Sequence, residues 1–139
     1  EQEENQERKS TRDGELMAIK RIHSGGAYEP KIGYCRAVVA GGFVHVSGTV
    51  GVDGSTDVVG QCKSALGVIE KALGDVGASF SDAVRLTYIL PDAADFEACW
   101  PILAATFGDN PPAATMISCD LIDPKYKIEI ELTALAPSA

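Results

Sequence analysis

Tyr34–Thr49 reads YCRAVVAGGFVHVSGT, two runs rich in strand-favouring residues divided by Gly41-Gly42. A two-residue turn that matches the twist of its flanking strands needs positive φ, which glycine adopts without strain, so the pair predicts a β-hairpin. The second run alternates: Val44 and Val46 point to one face, and Phe43, His45 and Ser47 to the other.

Downstream of the hairpin, Gly51 to Thr56 reads as a loop, and Asp57 then stands at the start of the clearest helical pattern in the chain. Val58, Cys62, Ala65, Leu66, Ile69, Ala72, Leu73 and Val76 recur at spacings of three and four, which makes one apolar stripe. Gly60, Gly67 and Gly74 fall outside that stripe, each costing about 1 kcal/mol relative to Ala in a helix interior. They read either as a tolerated solvent face or as a close approach by another element. Gly77 ends the helix, and AVRLTYIL, Ala83 to Leu90, predicts a strand. Pro91-Asp92 opens a second predicted helix over about 93–107, with Phe96, Cys99, Trp100, Leu103 and Phe107 on one stripe and GDNPP closing it. Strands are expected from Thr115 to Ile122 and from Tyr126 to Ala136, where KIEIELTAL alternates.

Upstream, Leu16 to Ile22 suggests a first strand, closed by Ser24 to Gly26, and AYEPKIG reads as a loop. The polar stretch EQEENQERKSTRDG, residues 1–14, has no apolar periodicity and is expected to be a disordered tail before a single domain over 15–139. The fold class is α+β: a mixed sheet of about six strands with two helices on one face. The uncovered face carries apolar groups and Glu side chains together, which predicts a homo-oligomer.

The chain has 139 residues and a formal net charge of -8, from 12 basic and 20 acidic side chains. That balance opposes phosphate neutralisation, so nucleic acid is not an expected partner. No apolar run approaches the roughly 20 residues needed to cross a bilayer, so no membrane partner is expected either. Cys35, Cys62, Cys99 and Cys119 form no CxxC pair, and with no secretory signal in view they read as reduced thiols of a cytoplasmic protein.

Candidate chemistry is sparse. With only His23 and His45, and no close His or Cys pair, no metal or other cofactor is expected. His45 and Ser47 share a strand face, but side chains two apart on a strand start about 7 Å apart, so a hydrolase pair is disfavoured against a hydrogen-bonded Ser beside a partly buried His. SGTVGVDGS lacks the Lys of a phosphate-binding loop. Glu129 and Glu131 share one face of the last strand, either as a solvated edge or as carboxylates held in a cleft. Arg36 and Arg85 interrupt apolar runs; they either pair with Glu129, Glu131 or Asp120, or grip a substrate carboxylate.

Taken together, GYCRAVVAGGFVHVSGTVG, the helix QCKSALGVIEKALGDVGAS, the strand DAVRLTYIL and the closing PPAATM and LIDPKYKIEIELTAL resemble the Rid family, the reactive intermediate deaminases, also called YjgF-like or endoribonuclease L-PSP proteins. The resemblance runs from about Ile19 to Ala136 and implies a chorismate-mutase-like fold, a homotrimer with a central barrel, and small-molecule clefts between protomers. It also implies cofactor-free hydrolysis of an enamine or imine to a 2-oxo acid and ammonia. Matched position by position, it implies catalytic roles for Tyr34, Ser47 and the water-positioning Glu129, with Gly48 following that Ser. The family's Asn on the second helix falls on Trp100, its carboxylate-holding Arg on Ala114 and its Cys on Met116. These departures predict a diverged, more apolar pocket in which Trp100, Ala114, Met116, Gly48 and Arg36 meet the substrate, and the standard 2-aminoacrylate reaction is not expected. The first functional expectation is therefore hydrolysis of a neutral or larger apolar imine, enamine or related intermediate. The second is a non-catalytic homologue that binds a small metabolite or protein partner, and a third is a nuclease-like activity.

Overall fold

The computed structural model describes residues 18–137. Within them β1 (Lys20–Ile22), β2 (Ala37–Ala40), β3 (Phe43–Thr49), β4 (Ala83–Leu90), β5 (Ala113–Ser118) and β6 (Glu129–Leu135) form one sheet in the order β1-β2-β3-β6-β4-β5. Neighbours are antiparallel except β4 and β5, which run parallel. The helices are α1 (Tyr28–Ile32), α2 (Val58–Asp75) and α3 (Trp100–Phe107).

The hairpin forms at Gly41 and Gly42, with φ of 59° and 85°, and pairs Ala40 with Phe43. Helix α2 starts where Asp57 accepts a hydrogen bond from the Gly60 amide at 3.0 Å, satisfying one of the helix's free donors. Its stripe from Val58 to Leu73 is buried, and α3 adds Leu103 and Phe107 to the same core. These side chains cover the sheet face carrying Val44, Val46, Leu86, Ile130 and Leu132. Gly60 is a close approach: a Cβ there would come within 2.8 Å of Ser55, whereas Gly67 and Gly74 face open space. On the opposite face Val38, His45, Arg85, Glu131 and Thr133 border a shallow depression.

Several element boundaries differ from the sequence reading, each for a local reason. AYEPKIG is no loop but carries α1: the Glu29 carboxylate gathers the preceding Ser24 and Gly26 amides, and Gly33 closes the turn at φ 91°. The second predicted helix is interrupted. Ala93–Asp95 and Glu97–Cys99 are 3-10 turns, and an α-helix begins only at Trp100 because Pro101 has no amide to continue the earlier ladder. That break turns Trp100 off the buried stripe, leaving it 53% exposed. β5 begins two residues before the expected Thr115 and stops at Ser118, where its partner β4 ends at Leu90. β6 starts at Glu129 rather than Tyr126, because the backbone of Lys125 and Lys127 bonds to the Gln61 side chain instead of to a strand. β1 keeps only Lys20–Ile22 of the expected strand; Leu16 and Met17, like the expected tail, lie outside the described residues.

Candidate active site

Between Val46 and Thr49, β3 carries three steps where β6 carries two, since Val46 faces Leu132 and Thr49 faces Ile130. This is a β-bulge at Ser47-Gly48, the irregularity that re-aims side chains and bends a strand. Beside it opens a cavity of about 390 Å³, walled by Tyr34, Arg36, Ser47, Gly48 and Glu129. Tyr28 and Ile32 of α1, with Ile122 and Tyr126 from the segment before β6, form its mouth.

Each wall residue is fixed by local chemistry. Glu29 sits beneath the entry to β2, 4% exposed, accepting from the Ser24 hydroxyl at 2.6 Å and from the Gly26 amide at 2.7 Å. Burial alone would raise its pKa, but the hydrogen bonds from Ser24 and Gly26 and the charge of Arg36 outweigh that and hold it below the ordinary value. The Gly33 and Tyr34 amides both donate to the Glu29 carbonyl, which turns Tyr34 toward the cavity. Arg36 is tied by its own backbone to Ile22 and Ser47, is 8% exposed, and donates from Nη1 to Thr49 Oγ1 at 3.1 Å. Its guanidinium carbon stands 5.6 Å from the Tyr34 ring centroid.

Glu129 is the titratable group at the centre. Its carboxylate rests against Gly48, where a Cβ would collide with Oε1 and stand 3.0 Å from Cδ. Burial pushes its pKa above the ordinary carboxylate value; Arg36 opposes that push and Glu131, two residues along the same face, adds to it. A carboxyl group raised toward neutrality can both take and return a proton during hydrolysis.

The structure thus brings together Tyr34, Arg36, Ser47, Gly48 and Glu129 from the residues named in the sequence. It does not bring Trp100, Ala114 or Met116 to them. Ala114 pairs with Leu86 and Met116 with Tyr88, so both project on the helix side of β5, away from the face that carries Glu129. Tyr88, Phe96 and Trp100 continue that side as successive aromatic contacts with centroids 5.2 and 6.4 Å apart. Ser47 is also less free than expected: its hydroxyl donates to the Cys35 carbonyl at 2.6 Å, and His45 meets Thr133 at 3.4 Å, so no Ser-His pair forms. Neither Arg36 nor Arg85 forms an ion pair among the described residues; Arg85 donates to Thr115 at 3.0 Å. Among those residues no cluster of three or more His, Cys, Asp or Glu side chains is placed to hold a metal, and no helix is long and apolar enough to cross a membrane.

Thr49, Gln61 and the mouth residues Tyr28, Ile32, Ile122 and Tyr126 escaped the sequence reading of the site. Thr49 anchors Arg36 only because the bulge turns it inward, and no spacing rule announces a bulge. Tyr126 reaches the mouth because Gln61 pins the segment before β6: its amide donates to the Ser55 and Lys125 carbonyls at 3.1 and 2.9 Å and its oxygen accepts from Lys127 at 2.7 Å. A Gln inside the apolar stripe of α2 was the available signal.

The fold and this cavity define a small α+β protein with a half-buried carboxyl group of raised pKa at the rim of an open sheet face. The profile of the endoribonuclease L-PSP family matches residues 25–136, and the chain belongs to that family. It is 29% identical over 124 residues to a RutC family protein of Pyrococcus abyssi, covering 85% of this chain and 98% of that one. It is also 29% identical over 124 residues to the human 2-iminobutanoate/2-iminopropanoate deaminase, covering 84% of this chain and 90% of the human protein. A crystal structure of a YjgF/YER057c/UK114 family member from Mycobacterium tuberculosis superposes with a TM-score of 0.81 at 34% identity, covering 86% of this chain and all of that one.

Proposed function

We propose that the chain hydrolyses an imine or enamine-type reactive intermediate, in a cleft that a second copy completes within a homotrimer. The observation that carries this reading is the raised Glu129 carboxyl laid against Gly48 in an open cavity. Kinship to the human deaminase supports the reaction class. In the first step the ionised Glu129 takes a proton from water as the water oxygen bonds to the imine carbon, and the electron pair of the C=N bond moves to nitrogen. Glu129 then returns that proton to nitrogen and carries the proton of the new hydroxyl to the same nitrogen; the C–N bond breaks as the C=O bond forms, and ammonia and a carbonyl compound leave with Glu129 ionised again.

The walls divide as a shared cleft requires. Glu129 and its neighbours lie at the rim of the open face, while Trp100, Ala114 and Met116 are exposed on the other side of edge strand β5. An all-exposed edge strand and an uncovered sheet face both call for a covering subunit. With no carboxylate-holding Arg at 114, the standard 2-aminoacrylate reaction is not the one proposed. The four free cysteines fit a cytoplasmic setting.

Ammonia release from freshly generated imines, over a panel of side chains, tests the reaction: Glu129→Gln should slow it by at least about 100-fold. Failure to accelerate any imine would sink the hydrolase and leave a non-catalytic binding role, which the commitment of the Ser47 hydroxyl to Cys35 favours as the second reading. Light scattering on the eluting protein should give a mass near three times the 14.6 kDa chain; a monomer would remove the shared cleft.

A further inference from the structure

We infer that Arg36 is the anion-binding group of this cleft and sets its specificity: the ligand is a carboxylate attached to a bulky aromatic or branched apolar group. This rests on the Glu129 cavity being the ligand site and names what enters it.

Arg36 is a desolvated cation whose hydrogen bonding is unfinished. Nη1 is spent on Thr49, and the buried Nε has no hydrogen-bond partner. Among the described residues no carboxylate comes within ion-pair distance of it. A buried guanidinium left in that condition costs free energy that a bidentate carboxylate restores, because the Nε edge presents two parallel donors at the spacing of the two carboxylate oxygens. Reaching Nε takes a rotation of the guanidinium about its Thr49 anchor, a side-chain adjustment of the kind ligand binding commonly brings.

Arg85, the other cation set within an apolar run, is excluded by position. It opens on a different depression, beside His45 and Glu131, and is already bonded to Thr115. Glu29 is close enough to lower its own pKa through Arg36, but its carboxylate is taken up by Ser24 and Gly26. Arg36 therefore supplies, from the same wall as Glu129, the positive charge that position 114 lacks.

The far end of the ligand is read from the mouth. Tyr28, Ile32 and Ile122 are 47%, 60% and 66% exposed around it, three large apolar groups left in water at one opening. A carboxylate with only a methyl group would leave them bare, whereas an aromatic or branched substituent covers them.

Isothermal titration of the purified protein with phenylpyruvate, its methyl ester and pyruvate tests this directly, since 2-oxo acids are stable mimics of the hydrolysis product. Phenylpyruvate should bind saturably, and both the ester and pyruvate about 10-fold or more weaker. Arg36→Gln should reduce phenylpyruvate to the level of the ester, and Arg36→Lys should give an intermediate affinity. Equal binding of acid and ester, unchanged affinity in a folded Arg36→Gln protein, or no binding by phenylpyruvate at millimolar concentration would each overturn the inference. If Arg36→Gln does not fold, the acid-to-ester contrast on the wild type and the Arg36→Lys variant decide. Arg36-dependent binding without ammonia release from any imine would defeat the hydrolase and keep this inference; imine hydrolysis indifferent to Arg36→Gln would do the reverse.

Discussion

The Glu129 carboxylate lies against Gly48 so closely that the hydrogen on the glycine Cα is the only substituent the space admits on that side. Gly48→Ala should therefore displace the carboxylate rather than unfold the protein. A displacement on the order of 1 Å costs about 100-fold in turnover, whereas overpacking at one site costs about 1–3 kcal/mol of stability. Steady-state rates beside thermal melts would separate the two; a variant with wild-type turnover would show that Glu129 has no catalytic position to lose.

The raised pKa of Glu129 has a defined sign in stability. Burial makes the native state hold this proton to higher pH than the unfolded chain does, so between the ordinary 4.5 and the raised native value the native state binds more protons. The Glu129 contribution to stability therefore falls as pH climbs through that window and levels off above it. Urea titrations at several pH values should show Glu129→Gln gaining on the wild type as pH rises. In the proposed hydrolysis the base form of Glu129 grows over the same range, so the wild-type rate should rise with pH there.

Gln61 ties α2 to the Ser55 loop and to the segment that enters β6 through three part-buried hydrogen bonds. Gln61→Leu keeps the bulk but leaves the Ser55 and Lys125 carbonyls and the Lys127 amide without this partner, a loss of about 3 kcal/mol. Hydrogen exchange should quicken from 124 to 128 while the β3-β4-β6 centre stays protected. Uniform exchange across the domain would mean that Gln61 supports the fold globally.

Cysteine reactivity should follow burial. Burial, with the neighbouring Cys99 thiol, pushes Cys62 up to about 12, and Cys35, Cys62 and Cys99 are all enclosed while Cys119 is exposed. Ellman's reagent should therefore modify Cys119 quickly and the other three only after denaturation. Rapid reaction at Cys62 or Cys99 would place the core packing in error.

The elements whose own residues settle them were legible from the chain. AVRLTYIL is a strand with the expected ends, and the α2 stripe is buried as its spacing predicts. Elements that depend on distant partners were not. The end of β5 is set by where β4 runs out, the start of β6 by a side chain more than sixty residues away, and the helix break by a single missing amide at Pro101. The site divides in the same way: Tyr34, Arg36, Ser47, Gly48 and Glu129 line one cavity, but Trp100, expected on the stripe with Cys99, Leu103 and Phe107, is turned off it by the break.

The bulge at Ser47-Gly48 also fixes what changes this strand can absorb. Val46 and Thr49 are both buried, at 3% and 0% exposure, although residues three apart on a regular strand face opposite ways. One additional residue shifts the phase of the strand midway, letting its first half serve the core and its second half the hydroxyl beneath Arg36. Deleting either residue would bring β3 into step with β6: Thr49 would stay inward opposite Ile130, but the irregularity that lays Gly48 against the Glu129 carboxylate would be lost. The number of residues in this strand, and not only their side chains, is therefore part of the site.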